Sequence, residues 1–526
     1  MFNKLKKYLL VTKDDKILKD LTARISAGQT GGGAKNILFD CTHIYYPKWN
    51  VKHAFIVASK HNAGHAVEAF NPSMMYFWYG WKFMVFNLVR KISRKDRNLI
   101  SALGIQKKAD FGPLSLGELR DAIGAASQTY KMIESKKDLI NLDVMGVKVG
   151  DLVYDTYLKW FRKPTVQVKS LRMRFLLVFA YVYAKKVNKL LCGNDYSEVY
   201  LTHAVYMGYG FMARFALNLG VDVYVVQNTR GTFIEQLSED HPFQTPRFVK
   251  FKEISEGLDA AERKKGRELA KLRLERRLSG IVDETIYYMK KSGYSDKQTG
   301  WLASQVLPYP GRPKTVLFLH CFFDSPHIYR SMLFVDFFEW LDCVLSLCER
   351  NKINVFVKEH PNALPGNEKI VAFFKDKYRS AVFVDAQVSN SNFFIGDISL
   401  ALTVYGTMAH EFAYQGIPVL NAGDNPHVAY GFSLTPKSVN DYESMLLALA
   451  LGETVFTPDK NEVLDYFYIS YLRKRWNACP FFDEKIGSKG TVKDSYSTFL
   501  CGLADEDISV IYDEVDTLLK SCTHVG

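Results

Sequence analysis

From residue 314 onward the chain alternates short apolar runs with longer amphipathic ones, and that alternation restricts its second half to one class of fold. The runs 315–319, 354–358, 381–384, 398–404 and 419–422 are strands by composition, and 331–349, 370–378 and 407–415 carry helical periodicity. Strands apolar on both faces and separated by helices imply a parallel sheet covered on both sides. Just before this run, the segment 307–313 (LPYPGRP) holds three prolines and a glycine. No helix or central strand continues through such a segment. It predicts the start of a second domain, 307–470.

The 526 residues are too many for one hydrophobic core. Residues 1–306 form a first domain. The segments 197–202, 203–219 and 221–226 read as strand, helix and strand, with Gly220 closing the helix. An earlier strand covers 36–41, followed by a helix–strand pair through Phe70. Residues 71–190 are mostly helical by pattern, with a very aromatic stretch at 74–86, and constitute helical insertions in the first domain. Residues 471–526 form a helical segment expected to pack back on that domain.

Hydrophobic residues make up 48% and charged residues 24%, which excludes disorder as the main state. The net charge of +12 attracts polyanions. Zinc-finger spacing and aromatic RNA-binding strands are both missing, so nucleic acid is not an expected partner. No cysteine pair has C-x-x-C spacing. That leaves no zinc or thioredoxin motif and points to a reducing compartment. The apolar run after Lys7 is broken by Lys13, unlike a signal peptide. The longest apolar span, 175–184, falls well short of the ~20 residues a bilayer requires. A cytoplasmic location is expected, with peripheral contact at an inner membrane through Lys4, Lys6 and Lys7 beside Leu5, Leu9 and Leu10. The charged helix over 252–292 reads as a solvated face, with contact to an anionic acceptor or membrane as the alternative. The glycines at 28–33 are not a phosphate-binding P-loop, because a strand follows them and Lys35 precedes Asn36.

Ligands of open α/β sheets bind beyond the carboxyl ends of the strands. In the second domain those positions carry His320, Asp324 and His327, then Lys358, Glu359, His360 and Pro361, then Tyr405, Gly406 and Thr407, then Asp424 and His427. The third loop is the most informative. Gly406 permits close backbone approach and a helix starts at about Thr407, where free N–H groups suit phosphate. Glu411 lies one turn on, along the same face. A carboxylate there suits ribose hydroxyls.

The stretch 405–420 (YGTMAHEFAYQGIPVL) resembles the donor-binding segment of GT-B glycosyltransferases, in which such a turn holds the donor phosphates and a helix Glu holds the ribose. The tetrapeptide 358–361 (KEHP) resembles the His-Pro motif of bacterial capsule and lipopolysaccharide transferases, including those using CMP-activated Kdo or sialic acid. The spacing of His203, Tyr206, Gly210, Arg214 and Gly220 is similar to a first-domain pattern of surface-carbohydrate biosynthesis proteins. The resemblance covers 314–432 well and the first domain in patches.

It implies an α/β GT-B architecture, two Rossmann-like domains facing a cleft, with acceptor bound by the first and nucleotide-sugar donor by the second. The implied function is glycosyl transfer to a surface polysaccharide or lipid-linked glycan, with a slight preference for a CMP-linked acidic sugar such as Kdo. No metal or other cofactor is expected. Donor binding falls to Lys358, Pro361, Tyr405, Gly406, Thr407, Glu411, Asp324 and His327. His360 would stabilise the leaving phosphate. Asp40 and His43 are the expected base, and His65, His203 and Tyr206 the acceptor-side residues. The alternatives are a nucleotide-sugar 2-epimerase, a polyol-phosphate transferase and a non-catalytic polysaccharide assembly factor.

Overall fold

The structure is a computed structural model. It describes residues 13–25, 35–71, 94–109, 111–227, 233–243, 249–281, 292–294, 300–329, 331–360, 364–474, 478–487, 489–490 and 494–522. Pro361, the basic N-terminal stretch, the glycines at 28–33 and the aromatic stretch 74–86 lie outside the described residues. The chain divides into two compact units. The first spans Met1–Val153, Val168–Gln244 and Arg475–Gly526, and the second spans Tyr154–Gln167 and Thr245–Lys474.

The first unit holds a six-stranded sheet of β1 (Asn36–Asp40), β2 (Ala66–Phe70), β3 (Lys107–Lys108), β6 (Tyr196–Leu201), β7 (Asp222–Gln227) and β8 (Phe233–Leu237), in the order β3-β2-β1-β6-β7-β8. Only the β7–β8 pairing is antiparallel. A two-stranded hairpin, β4 (Asp143–Val144) and β5 (Val147–Lys148), stands apart. Helices Pro47–Asn62 and Tyr206–Asn218 make the crossovers. The C-terminal segment belongs to this unit: Phe482, Ile486, Tyr496, Phe499, Ile511 and Val515 share one core with Ile37 and Phe39 of β1. Helices Leu116–Met132 and Leu171–Cys192 form an antiparallel pair, tied at one end by Lys189 to Glu118 and at the other by Lys169 to the carbonyls of Tyr130 and Lys131.

The second unit holds a fully parallel sheet of β9 (Lys314–Phe318), β10 (Asn354–Lys358), β11 (Ala381–Val384), β12 (Ile398–Thr403) and β13 (Val419–Asn421), in the order β11-β10-β9-β12-β13. Successive residues of a strand face opposite sides. Accordingly, Leu317, Val355, Val357 and Leu402 enter one core cluster, and Val316, Phe318, Phe356 and Ala401 enter another. In strand order the first sheet reads 3-2-1-4-5-6, its last strand antiparallel, and the second reads 3-2-1-4-5, both Rossmann-like arrangements.

Two expectations require correction. The division falls near residue 245, not 307. Phe251, Ala270 and Leu274 lie in one core with Val316 and Phe318 of β9, so the helices Val249–Glu256 and Ala260–Leu278 belong to the second unit. The proline-rich segment 307–313 is a turn inside that unit. Buried Asn354 secures it, donating to the carbonyls of Tyr309 and Arg312 while its Oδ1 accepts from Tyr309 N. Nor is the charged region one solvated helix. Gly257 interrupts it, Asp259 caps the second helix, and Gly266 packs so tightly on Tyr468 that a Cβ there would come 2.5 Å from the ring.

Candidate functional site

A 3-2-1-4-5 order places its switch point between the first and fourth strands, where chain connections leave in opposite directions and open a crevice at the carboxyl edge. In the second unit that point lies between β9 and β12. Their exits are fastened together by His320. Its Nε2 accepts from Val404 N (3.3 Å) and lies 3.2 Å from Thr403 Oγ1. A backbone N–H can only donate, so the neutral ring carries its proton on Nδ1. Burial, and then the neighbouring His360, push the His320 pKa down to about 3. The ring is stacked on Phe337 at 4.9 Å. Thr403 Oγ1 also accepts from Gly406 N at 3.1 Å, and a Cβ on Gly406 would come 2.8 Å from that oxygen. The glycine thus lets the loop after β12 lie close against the exit of β9.

Behind this loop sits a buried ionic group. Glu411 is 1% exposed. Its Oε1 accepts from Arg277 Nε at 2.6 Å, and its Oε2 accepts from the Tyr294 hydroxyl. Arg277 Nη2 reaches Thr407 Oγ1 at 3.4 Å. Burial opposes the Arg277 charge, but Glu411 raises its pKa overall. Burial and then Glu411 hold the Tyr294 hydroxyl well above its ordinary pKa. Glu411 therefore lies inside the protein as an anchor for Arg277 and the first turn of the helix, a correction to its expected place on a ligand-facing side.

The loop after β9 folds over the same edge. Tyr405, half-buried, donates to Ser325 O at 3.1 Å and packs against His320 and Tyr329. It is a strut between two loops. Two residues beyond Ser325, His327 meets Asp155: Nδ1 lies 2.6 Å from Oδ1, and the backbone N donates to Oδ2 at 3.2 Å. Asp155 is 2% exposed. The Tyr154 ring lies edge-on to His327 at 5.2 Å, and its hydroxyl donates to Asp336 Oδ2, the N-cap residue of helix Phe337–Arg350. Asp324 is exposed, 3.5 Å from Lys159.

After β10, Lys358 turns away from solvent and donates to Asp385 O at 2.6 Å. Burial drives its pKa down to about 8. Its ammonium is bound to the exit loop of β11, which corrects the expectation that it faces a ligand. His360 stands exposed beyond it. Partial burial lowers its pKa first, with Asp324 opposing and Lys358 adding to the shift.

In the first unit the switch point lies between β1 and β6. Asp40, 1% exposed, closes it by accepting from Thr42 N (2.8 Å), Thr202 N (3.1 Å) and Thr202 Oγ1 (2.6 Å). These bonds give Asp40 a clamping task in place of the expected base. His43 and His203 flank the clamp, 5.6 Å apart, with His43 stacked on Trp49 at 5.2 Å. Tyr206 opens the next helix in the left-handed region, φ 58°, a costly conformation for a bulky residue. His65 precedes β2 and so sits at the amino edge of the sheet, opposite the switch point, which removes it from the acceptor side.

Arg277, Tyr294, Asp155 and His320 as a clasp were not assigned from the sequence. For Arg277 a signal existed: it continues the buried stripe of Ala270 and Leu274 at helical spacing. Asp155 likewise stands in a helix among buried Val153, Tyr154, Tyr157 and Leu158. Among the described residues, no group of three or more His, Cys, Asp or Glu is arranged to hold a metal ion.

No protein-family model and no curated protein matches the chain. Among solved structures, a β-Kdo 2,4 transferase, KpsC of Thermosulfurimonas dismutans, aligns at 14% identity and a TM-score of 0.32, over 52% of this chain and 79% of its own. A UDP-GlcNAc 2-epimerase of Methanocaldococcus jannaschii aligns at 9% and 0.24, over 82% and 98%. A glycosyltransferase of Rickettsia africae aligns at 9% and 0.24, over 94% and 100%.

Proposed function

We propose that the chain is a glycosyltransferase that takes its sugar from a nucleotide-activated donor bound at the switch point of the second unit. The observation that carries this reading is the Gly406–Thr407 turn, held against the exit of β9 by His320 and from behind by the Arg277–Glu411–Tyr294 group. Fixed dipoles that need not reorganise stabilise charge developing on a leaving phosphate. His360 is assigned to that phosphate. Glu411 acts by positioning Thr407 through Arg277. The donor is assigned as a CMP-linked acidic sugar, the acceptor as a glycan or glycolipid, with His43, His203 and Tyr206 on the acceptor side.

We assign proton transfer to His327. Asp155 fixes Nδ1 as its donor nitrogen, so Nε2 is the nitrogen with the lone pair. That nitrogen takes the acceptor hydroxyl proton as the new C–O bond forms and the sugar–phosphate bond breaks, with the electron pair leaving on the nucleotide. A buried carboxylate behind an imidazole stabilises the imidazolium so formed.

Nucleotide release from CMP-Kdo and from UDP-GlcNAc, with and without a glycan acceptor, tests the reading. Turnover in wild type that falls at least 100-fold in His327→Gln, with nucleotide binding retained, supports both assignments. Release from neither donor overturns the function, and equal turnover in the variant overturns the role of His327 alone. Conversion of UDP-GlcNAc to its 2-epimer without release would identify an epimerase.

A further inference from the structure

The helix pair Leu116–Met132 and Leu171–Cys192 carries large apolar side chains on its outside. Leu171 is 82% exposed, Met132 69% and Phe175 45%. Leu171 and Phe175 are four residues apart and share a helix face. The Lys189–Glu118 and Lys185–Asp121 pairs set an antiparallel register that brings Met132 level with Phe175. Lys169, bonded to the carbonyls of Tyr130 and Lys131, brings the start of the second helix to the same end. The three side chains thus occupy one tip of the pair.

Basic residues rim that tip: Lys131, Lys137, Lys169, Arg172 and Arg174 are all exposed. Glu134 and Asp138 stand at the same end, and the Asp138 carboxylate is held by the backbone N–H groups of Glu134 and Ser135. An apolar tip with a cationic rim matches the two layers of an anionic membrane surface, acyl chains beneath and phosphate headgroups above. We propose that this tip docks the first unit on an anionic lipid bilayer. A protein partner would have to supply an acidic rim around an apolar socket, whereas a bilayer presents that combination everywhere on its surface. Among the described residues no helix is long and apolar enough to cross a membrane, so the contact proposed is interfacial.

Co-sedimentation of the full chain with vesicles of phosphatidylcholine alone, and of phosphatidylcholine with 30% phosphatidylglycerol, tests it. Wild type is expected to pellet with the anionic vesicles at low salt and to be released as salt is raised, since exposed charges are screened. Leu171→Gln/Phe175→Gln should remain in the supernatant. Lys131→Gln/Arg172→Gln/Arg174→Gln should bind on the order of 100-fold more weakly, at about fivefold per charge. All these side chains are exposed, and unchanged circular dichroism and melting confirm that the variants fold. The proposal is overturned if wild type ignores anionic vesicles, or if both variants pellet as wild type does. It is also overturned if the apolar variant alters only the oligomeric state in sedimentation velocity, which would make the tip a contact between copies of the chain.

Discussion

At the scale of single residues, the site depends on buried charges with assigned partners. Removing one member of a buried pair leaves the other charged and uncompensated, a loss of about 3–5 kcal/mol. Glu411→Ala should therefore lower stability by roughly 3 kcal/mol, with Arg277 stranded, while Glu411→Gln, still an acceptor for Arg277, should lose less. Urea denaturation of both variants checks this; equal and small losses would show that the ion pair matters little. His427 makes a second prediction. Its ring is buried, its Nε2 has no hydrogen-bond partner among the described residues, and burial pushes its pKa to about 3. The unfolded state then binds a proton that the folded state refuses between about pH 6.5 and 3. Stability is retained above that window and falls on acidification by up to ~1.4 kcal/mol per pH unit for this group. His320 adds to the same slope. His427→Phe should flatten the fall in the urea midpoint between pH 7 and 5; an unchanged slope would show that the ring is already protonated.

At the scale of elements, the question is what fastens strand exits and helices. Asp40 clamps the exits of β1 and β6 with three hydrogen bonds. Asp40→Ala leaves buried donors unsatisfied at about 1–3 kcal/mol each. It should lower the melting temperature clearly; normal stability with lost turnover would return Asp40 to the role of base. Gly266→Ala sets a gain of ~1 kcal/mol in helix propensity against overpacking on Tyr468 that costs ~1–3 kcal/mol. The net expected effect is destabilising, and a raised urea midpoint would contradict the packing. The strands of the second unit were legible because their apolar runs are continuous. The expected 315–319 and 354–358 coincide within a residue with β9 and β10. The two-residue β3 carries no period, and β8 no distinguishing run. The helix expected over 331–349 begins only at Phe337, because Asp336 caps it and Leu333 N instead donates to Ala422 O. Local pattern cannot register such a long-range bond.

At the scale of the whole molecule, the α/β class and the strand-edge position of the site were legible, because loops rich in histidine and glycine follow apolar strands at fixed places in sequence. The division of the chain was not. Prolines mark a turn whether it joins two domains or two elements of one, and only the packing of Phe251, Ala270 and Leu274 separates the cases. The orientation of Glu411 was equally hidden, since its partners Arg277 and Tyr294 lie more than a hundred residues away in sequence. The central claim is that the turn after β12 holds a nucleotide. Its most direct test is thermal melting of wild type and of Gly406→Val with CMP, CDP, UDP, GDP and ADP, since a ligand that binds only the folded state raises its melting temperature. A shift with one nucleotide, CMP by this account, that disappears in Gly406→Val is the result predicted. No shift with any of the five, or a shift that survives in the variant, would contradict it.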